Sequence, residues 1–183
     1  MRVISGKYRG AKILSPEGND VRPTTDKIKE TMFNILVNKK SFYEASVLDV
    51  FAGSGALGLE ALSRGASRAI FCDSNRASAN LTKMNLKRVQ EPYQVFNSDF
   101  RVVMKKLVGK KFDFIFADPP YASGYYEEVL FLAEKYDLLA KNGIIILEYS
   151  ASDDLLLDDK RYIIDTRKCG TVKISFLTAR EEE

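Results

Sequence analysis

The sequence contains no histidine among its 183 residues. Catalytic triads of the Ser-His-Asp or Cys-His type, histidine general bases and metal sites with imidazole ligands are therefore all excluded. Cysteine is almost as scarce, since only Cys72 and Cys169 are present. Their spacing fits neither a disulfide framework nor a zinc site, so we interpret both as free thiols and expect no bound metal.

Long apolar runs are also missing, although hydrophobic residues make up 45% of the chain. No run approaches the roughly 18 residues that a membrane-spanning helix needs. The start of the chain, MRVISGKYRG, has no apolar signal-peptide core. We therefore expect no membrane segment and a cytoplasmic location, with one domain that folds without disulfides or metals.

The small net charge of +3 is unevenly distributed along the chain. Residues 1–14 contain no acid and carry four cations, namely Arg2, Lys7, Arg9 and Lys12. Such an arm can attract a polyanion such as RNA through counterion release. It can equally be an edge hairpin whose charges prevent strand-to-strand aggregation. Charge alone slightly favours the second interpretation.

From Ser46 onward, short apolar runs alternate with helical patterns. We predict strands at 46–51, 68–73, 93–98, 112–118 and 143–149, with helices near 56–64, 75–88, 99–108 and 125–137. This alternation is typical of an α/β fold, in which helices cover both faces of a parallel sheet. The runs 161–168 and 171–179 predict a C-terminal antiparallel hairpin that completes a mostly parallel, seven-stranded sheet.

Residues 1–45 follow a different pattern, and we predict that they form an N-terminal extension packed on a core of residues 46–183. The segment RVISGKYRGAKIL predicts a small hairpin, followed by a loop. A helix capped by Thr24 or Thr25 should come next. We expect its exposed positions to include Lys27, Lys29 and Glu30, and its buried stripe to consist of Ile28, Met32, Phe33, Leu36 and Val37.

The stretch DVFAGSGALGLEAL carries a G-x-G-x-x-G pattern at Gly53, Gly55 and Gly58, where the first strand turns into the first helix. Glycines at this turn let the backbone approach a nucleotide-type ligand closely. Asp49 lies on the strand four residues before Gly53, where its charge would repel a diphosphate but attract the cationic S-adenosylmethionine. Asp49 can also cap the loop by accepting its N–H groups, and the two roles are compatible.

Two further acids are predicted at neighbouring strand ends. Asp73 follows Gly53 by 20 residues, the position from which an acid reaches ribose hydroxyls in nucleotide-binding α/β folds. Asp99 can accept a hydrogen bond from an adenine amino group, or it can serve as the N-cap of the next helix. The residues favour neither role of Asp99 over the other.

The fourth strand ends in ADPPY, which contains Asp118 and Tyr121. Two consecutive prolines stiffen the turn and leave its carbonyl groups exposed. Asp118 and the Pro119 carbonyl can accept both N–H bonds of a planar amino group, and Tyr121 can stack on the ring, worth about 1–3 kcal/mol. Because ligands bind at the carboxyl ends of the strands in such sheets, this turn should lie beside the glycine loop.

In this combination of motifs the chain resembles the class I S-adenosylmethionine-dependent methyltransferases that modify exocyclic amino groups. Within them it is similar to the RsmD-type guanine-N2 methyltransferases of small-subunit (16S) ribosomal RNA. The resemblance covers nearly the whole chain, and its most specific segment is VRPTTDKIKETMFNIL at 21–36. The closing CGTVKISFL also matches. The resemblance implies a Rossmann-like class I methyltransferase fold. We expect the enzyme to be a monomer.

The resemblance also implies roles for individual residues. The catalytic turn would consist of Asp118, Pro119, Pro120 and Tyr121. The S-adenosylmethionine site would consist of Asp49, Phe51, Gly53, Gly55, Asp73, Asp99, Phe100 and Asp118. The RNA contacts would come from Arg2, Lys7, Arg9, Lys12, Arg22, Thr24 and Thr25, although Arg22 could instead pair with Glu17 or Asp26. Whether free ribosomal RNA or an assembling 30S particle is recognised is left open.

Two alternatives remain at this point. A methyltransferase of the same fold that acts on adenine-N6 or a glutamine side chain shares a Pro-Pro-Tyr turn, but asparagine commonly precedes it there, whereas this chain has Asp118. A non-catalytic RNA-binding or NAD-binding module would leave Asp49 and the ADPPY turn without a role.

Overall fold

The computed structural model describes residues 1–15, 26–120 and 124–180. In chain order its elements are α1 (Asp26–Lys39), β1 (Ser46–Asp49), α2 (Ala56–Ser63), β2 (Arg68–Asp73), α3 (Arg76–Asn85), β3 (Tyr93–Asn97), α4 (Phe100–Lys106), β4 (Phe112–Ala117), α5 (Tyr125–Lys135), β5 (Leu139–Ser150), β6 (Tyr162–Cys169) and β7 (Val172–Ala179). Every helix and strand predicted after Ser46 is present, with ends that differ by a few residues. None of the helices in the described residues combines the length and apolar composition that crossing a bilayer requires.

The seven strands form one sheet in the order β3-β2-β1-β4-β5-β7-β6. Strands β1 to β5 pair in parallel, whereas β7 is antiparallel to both β5 and β6. The predicted mostly parallel sheet with a C-terminal antiparallel hairpin is thus confirmed. Strand β5 begins four residues earlier than the predicted 143, because Leu139 already pairs with Phe112 of β4. The register then shifts before Ile144, in the stretch where Asn142 adopts a left-handed φ of 58°.

Apolar side chains alternate between the two faces of the sheet, as the strand period of two requires. Phe114 and Phe116 of β4 lie in one buried cluster with α1 and α2. Ile115 and Ala117 of the same strand lie in the other, with α4 and α5. The prediction of helices on both faces is therefore confirmed.

The N-terminal hairpin contacts helix α2 closely. Its two arms are joined by one antiparallel bridge, between Arg2 and Lys12. At the turn, Gly6 has a φ of 87°, and a Cβ at this position would come within 1.8 Å of the Ser63 carbonyl oxygen. The Lys7 amide donates to that carbonyl oxygen at 2.7 Å, and the Tyr8 amide donates to Ser63 Oγ at 2.9 Å. The hairpin thus rests directly on the C-terminal backbone of α2.

Helix α1 corrects two predictions. Lys29, expected to be exposed, is fully buried, and its Nζ lies 3.2 Å from Glu60 Oε2 and donates to the Arg2 carbonyl at 2.6 Å. Val37, expected to be buried, is 47% exposed. The buried stripe is therefore rotated towards Lys29, whose partner Glu60 lies 31 residues away and gives no local signal.

The helix-capping prediction for Thr24 or Thr25 lies outside the described residues. The boundary between an extension of 1–45 and a core of 46–183 stays a prediction. Val3 and Ile13 of the hairpin are buried in the same cluster as Phe114 and Phe116 of β4. This contact supports the part of the prediction that packs the extension on the core.

Candidate active site

Three carboxylates converge at the carboxyl edge of the sheet. Asp49 ends β1, Asp73 ends β2, and Asp118 follows β4 directly. In the register, Asp49 is aligned with Phe71 of β2 and Phe116 of β4, so the two other acids each lie two residues beyond it. Burial, together with the negative charges of Asp118 and Asp73, raises the pKa of Asp49 to about 7. The three acids therefore share one electrostatic environment.

The predicted glycine loop lies beside these acids. Gly53 and Gly55 have φ values of 56° and 77°, in the region that favours glycine, and the space beyond a Cβ on Gly53 is open. Gly58 has a different role, because a Cβ there would come within 2.3 Å of the Phe71 ring. The third glycine therefore permits close packing of α2 on β2, while the first two shape the turn.

Asp49 is only 2% exposed and accepts a hydrogen bond from the Gly58 amide at 3.2 Å. This bond confirms the interpretation that Asp49 caps the loop and the start of α2. No cation pairs with Asp49 within the described residues. Its role in attracting a cationic cofactor is compatible with the cap and stays a prediction.

Asp73 organises the loop from the neighbouring strand. Its Oδ2 accepts from the Gly53 amide and its Oδ1 from the Asn75 amide, both at 2.8 Å. Asn75 in turn caps α3 by accepting from the amides of Ala77 and Ser78. The carboxylate is half-buried at the end of its strand, and the predicted ribose contact is not tested by these bonds.

Asp99 is the N-cap of α4, since its Oδ1 accepts from the Arg101 amide at 2.8 Å. This confirms one of the two predicted roles and leaves the adenine contact as a prediction. The other oxygen accepts from Arg101 Nη1 at 2.9 Å. Arg101 also donates from Nε and Nη2 to both oxygens of Glu128 on α5, at 2.5 and 2.6 Å. One guanidinium therefore joins the N-terminal turns of α4 and α5.

An aromatic cluster lies next to this ion pair. Phe51 follows β1, and its ring centroid lies 5.1 Å from Phe100 and 6.1 Å from Tyr125, the latter pair parallel within 5°. The Arg101 guanidinium lies 4.6 Å from the Phe100 centroid and 5.0 Å from that of Tyr125. The sequence assigned Phe51 and Phe100 to the cofactor site, but it gave no indication of Arg101, Tyr125 and Glu128. Arg101 and Glu128 are 27 residues apart, so no local pattern joins them.

The proline turn leaves β4 without a cis peptide bond. Asp118 is half-buried, Pro119 is buried and Pro120 is exposed. Tyr121 lies outside the described residues, and the chain is described again from Gly124, whose φ of 68° precedes α5. The turn and the start of α5 are therefore located at the same sheet edge as the glycine loop.

Comparison with known proteins agrees with this architecture. The family model described as Conserved hypothetical protein 95 matches residues 1–178. Ribosomal RNA small subunit methyltransferase D of Escherichia coli K12 is 37% identical over 156 residues, covering 85% of this chain and 77% of that protein. The protein of the same name from Haemophilus influenzae is 32% identical over 176 residues, covering 94% and 90%. The chain belongs to the Conserved hypothetical protein 95 family.

Solved structures agree with this family assignment. The Escherichia coli protein yhhF is 33% identical, with a TM-score of 0.85 over 100% of this chain and 99% of that one. A hypothetical protein from Thermus thermophilus is 25% identical, with a TM-score of 0.84 over 98% and 99%. The predicted class I methyltransferase fold and the resemblance to the RsmD-type enzymes are both confirmed.

The RNA-contact residues predicted for this family member lie in different environments. Arg2, Arg9 and Lys12 are exposed on the hairpin. Lys7 pairs with Glu91 at 2.8 Å, which raises the pKa of the lysine. The hairpin is not part of the seven-stranded sheet. The other predicted contacts, Arg22, Thr24 and Thr25, lie outside the described residues.

Both cysteines are free thiols, as predicted. Cys72 lies on β2 next to Asp73, and burial raises the pKa of its thiol to about 12. A thiol with so high a pKa is protonated at neutral pH and is a poor nucleophile. Cys72 therefore belongs to the apolar core of the sheet rather than to the chemistry of its edge.

Proposed function

We propose that the protein transfers a methyl group from S-adenosylmethionine to the exocyclic N2 amino group of a guanine in small-subunit (16S) ribosomal RNA. One observation carries the proposal. Asp49 is buried and has no cationic partner among the described residues, and it lies beside Asp73 and Asp118 at the sheet edge where β4 ends in the Asp-Pro-Pro turn. Two relatives that cover most of the chain are named for ribosomal RNA small subunit methylation.

The site suits the methyl donor by charge and shape. S-adenosylmethionine carries an ammonium and a sulfonium, and binding these cations beside Asp49, Asp73 and Asp118 relieves the repulsion among the acids. Asp73 is at the strand end from which it accepts from ribose hydroxyls. Phe51 and Phe100 offer an apolar wall for the adenine next to Asp99, and the open space at Gly53 admits the ligand close to the backbone.

The bound donor supplies an electrophilic methyl group, and the chain's own residues position the acceptor. Asp118 and the Pro119 carbonyl accept the two N–H bonds of the guanine amino group. These bonds favour the pyramidal form of the nitrogen and stabilise the positive charge that develops on it. Asp118 also accepts the released proton. In-line transfer requires the nitrogen to be held about 3–3.5 Å from the methyl carbon.

The guanine must leave its stack to reach this turn. Tyr121 follows the two prolines and would receive the extruded base by stacking, worth about 1–3 kcal/mol. The hairpin cations Arg2, Arg9 and Lys12 hold RNA outside the pocket. Arg22, Thr24 and Thr25 contribute to its lid or to phosphate contacts. The proposed substrate locates the enzyme in the cytoplasm, and we propose that it acts there as a monomer.

Asp118→Ala tests the proposed chemistry directly. Loss of this acceptor should lower methyl transfer by about 100-fold or more, because it removes an interaction that strengthens in the transition state. The assay follows tritium from labelled S-adenosylmethionine into 16S ribosomal RNA. Cofactor affinity, measured by titration calorimetry, should fall much less than the rate, because Asp49 and Asp73 remain to attract the donor's cations. Undiminished incorporation in this variant would exclude Asp118 from catalysis.

Calorimetry also separates the alternatives. Tight NADH binding without S-adenosylmethionine binding would overturn the proposal in favour of a dinucleotide-binding module. Methyl transfer to adenine or to a glutamine side chain, detected by mass spectrometry of digested products, would favour the same-fold alternative. Mapping the modified nucleotide on free rRNA and on assembled 30S particles identifies both the base and the form of substrate that is used.

A further inference from the structure

Helix α3 and the turn after it form a second basic segment, which we call the α3 segment, residues 74–90. It contains no aspartate or glutamate and carries four cations, namely Arg76, Lys83, Lys87 and Arg88. All four side chains are exposed. Within residues 1–15, 26–120 and 124–180, none of them forms an ion pair or a side-chain hydrogen bond. The charge count pointed to the N-terminal hairpin as the source of the positive field. The α3 segment shows that the field is not confined to the hairpin.

The hairpin is attached to the α3 segment by specific bonds. Asn85 exchanges two hydrogen bonds with the backbone of Leu14, at 2.9 and 3.0 Å. Beyond the helix, the Tyr8 hydroxyl donates to Glu91 at 2.6 Å and accepts from the Gln90 amide at 2.9 Å. The two basic segments therefore form one continuous surface.

This surface also reaches the cofactor edge. The Asn85 amide that donates to Leu14 donates to the Ser54 carbonyl at 2.8 Å as well. Thr82, one turn earlier, donates to the Gly53 carbonyl at 3.0 Å. Lys83 is thus adjacent in sequence to a residue that contacts the glycine loop. A polyanion on the α3 segment would lie next to the site at which the methyl donor is proposed to bind.

A second acid-free run, residues 100–112 around α4, lies on the other face of the sheet and provides a comparison. It carries five cations, but Arg101 pairs with Asp99 and Glu128, and Lys111 pairs with Asp137. The α4 side chains lie in the cluster with α5, whereas Leu86 at the end of α3 lies in the cluster with α1 and α2. The two paired cations are already neutralised by acids and contribute little to binding a polyanion. The remaining three, Lys105, Lys106 and Lys110, lie on the face of the sheet opposite to the hairpin, so they do not extend its surface.

We infer that the sugar-phosphate backbone of the substrate RNA crosses the hairpin and α3 and not the α4 face. The contact surface consists of Arg2, Arg9, Lys12, Arg76, Lys83, Lys87 and Arg88. Exposed lysines and arginines without acidic partners release the counterions of nucleic acid when they bind its phosphates, and this release drives association. The inference rests on the proposed function and adds to it the path of the RNA over the protein.

Two triple variants with equal loss of charge test this path. The first is Lys83→Gln, Lys87→Gln and Arg88→Gln on the α3 segment. The matched control is Lys105→Gln, Lys106→Gln and Lys110→Gln on the α4 face, where all three side chains are exposed. Binding of a 16S rRNA transcript is measured at several KCl concentrations. Thermal unfolding and S-adenosylmethionine affinity, which should match the wild type in both variants, establish that each is folded.

The α3 variant should bind RNA roughly tenfold more weakly, and the slope of log affinity against log salt should become shallower by about 2–3, one for each phosphate that the variant no longer neutralises. The control should stay within about twofold of the wild type. Equal weakening of the two variants, or no weakening of the α3 variant, would overturn the inference. Wild-type protein that binds S-adenosylmethionine but neither binds nor methylates rRNA would instead overturn the proposed function, and the inference with it.

Discussion

Two carboxylates, Asp49 at the end of β1 and Glu60 within helix α2, are both buried, but their partners differ. Glu60 is fully buried and accepts from the Ile4 and Ser5 amides at 2.8 and 3.1 Å. It also pairs with Lys29 and with Arg64 Nε, at 3.2 and 2.8 Å. Asp49 accepts one amide at 3.2 Å and has two acids as electrostatic neighbours.

The difference separates a structural acid from a functional one. A buried charge is tolerated when cations and N–H donors compensate for its lost hydration. Glu60 has that compensation within the fold, where it joins the hairpin, α1 and α2. Asp49 has little of it, and burial therefore raises its pKa to about 7. A group in that condition is a candidate for a bound cation to stabilise.

Glu60→Gln should give the largest effect on stability. The substitution leaves the Lys29 ammonium buried without its counter-charge, which costs about 3–5 kcal/mol. For a domain of this size, each kcal/mol corresponds to about 2–4 °C in melting temperature. Thermal or denaturant unfolding measures the loss. Replacing both partners, with Lys29→Met and Glu60→Leu, should recover much of it, because no unpaired charge remains.

Asp49→Asn should lower cofactor affinity and not stability, which is the reverse of the effect expected for Glu60→Gln. The amide keeps an acceptor for Gly58 and removes a buried negative charge, so unfolding free energy should stay unchanged or rise. Affinity for S-adenosylmethionine should fall by about 10- to 100-fold, since a hydrogen bond to a charged group is worth about 1.5–3 kcal/mol. Calorimetric titration checks this. Retention of affinity together with lost stability would make Asp49 a structural acid like Glu60.

The pH dependence of cofactor binding isolates the charge of Asp49. The folded-state pKa lies above the ordinary 3.8, so the contribution of this group to stability is fully present below about pH 3.8 and is lost as pH rises through about 7. A bound cation favours the ionised form, so affinity should increase as pH rises from about 5.5 to 8, with proton release on binding. The increase in affinity should be absent in the Asp49→Asn variant. This variant therefore also serves as the control for titration of the ligand's own groups.

Arg101→Lys should have the smallest effect. Lysine keeps the charge but loses the fork that bonds Asp99 and both oxygens of Glu128. Because the Arg101 side chain is 40% exposed, solvent screens its ion pairs and the expected effect is small: a rise of up to about fivefold in KM for S-adenosylmethionine, with kcat nearly constant. Arg167→Lys, in a similar exposed pair with Asp165 on β6, is the control. A change in kcat alone would contradict a positioning role at the cofactor site.

The strands and the acids at their ends could be predicted because the signals for both are local. A strand of apolar residues that ends in Asp49 or Asp73 is visible within six residues of sequence. The parallel arrangement then requires those ends to meet at one edge. The cap formed by Asp49 and the N-cap at Asp99 were also predictable, because each acid accepts from an amide fewer than ten residues away.

Contacts between distant segments could not be predicted in this way. Lys29 was expected to be exposed because lysine usually is, and only Glu60, on another helix, changes that balance. The ion pair between Arg101 and Glu128 was missed for the same reason, because its two residues lie on different helices. The α3 segment was missed for a different reason, since the net charge outside the hairpin averages its four cations with acids elsewhere. A count of acid-free windows would have detected it.

The contact between Gly6 and the Ser63 carbonyl has a consequence for which sequences this fold tolerates. Gly6, which has no side chain, is therefore the hairpin residue that tolerates substitution least. Even a methyl group would overlap the α2 backbone, and the positive φ penalises any other residue as well. Variation can alter the hairpin's charge at neighbouring exposed positions, but it cannot alter how closely the hairpin sits on α2.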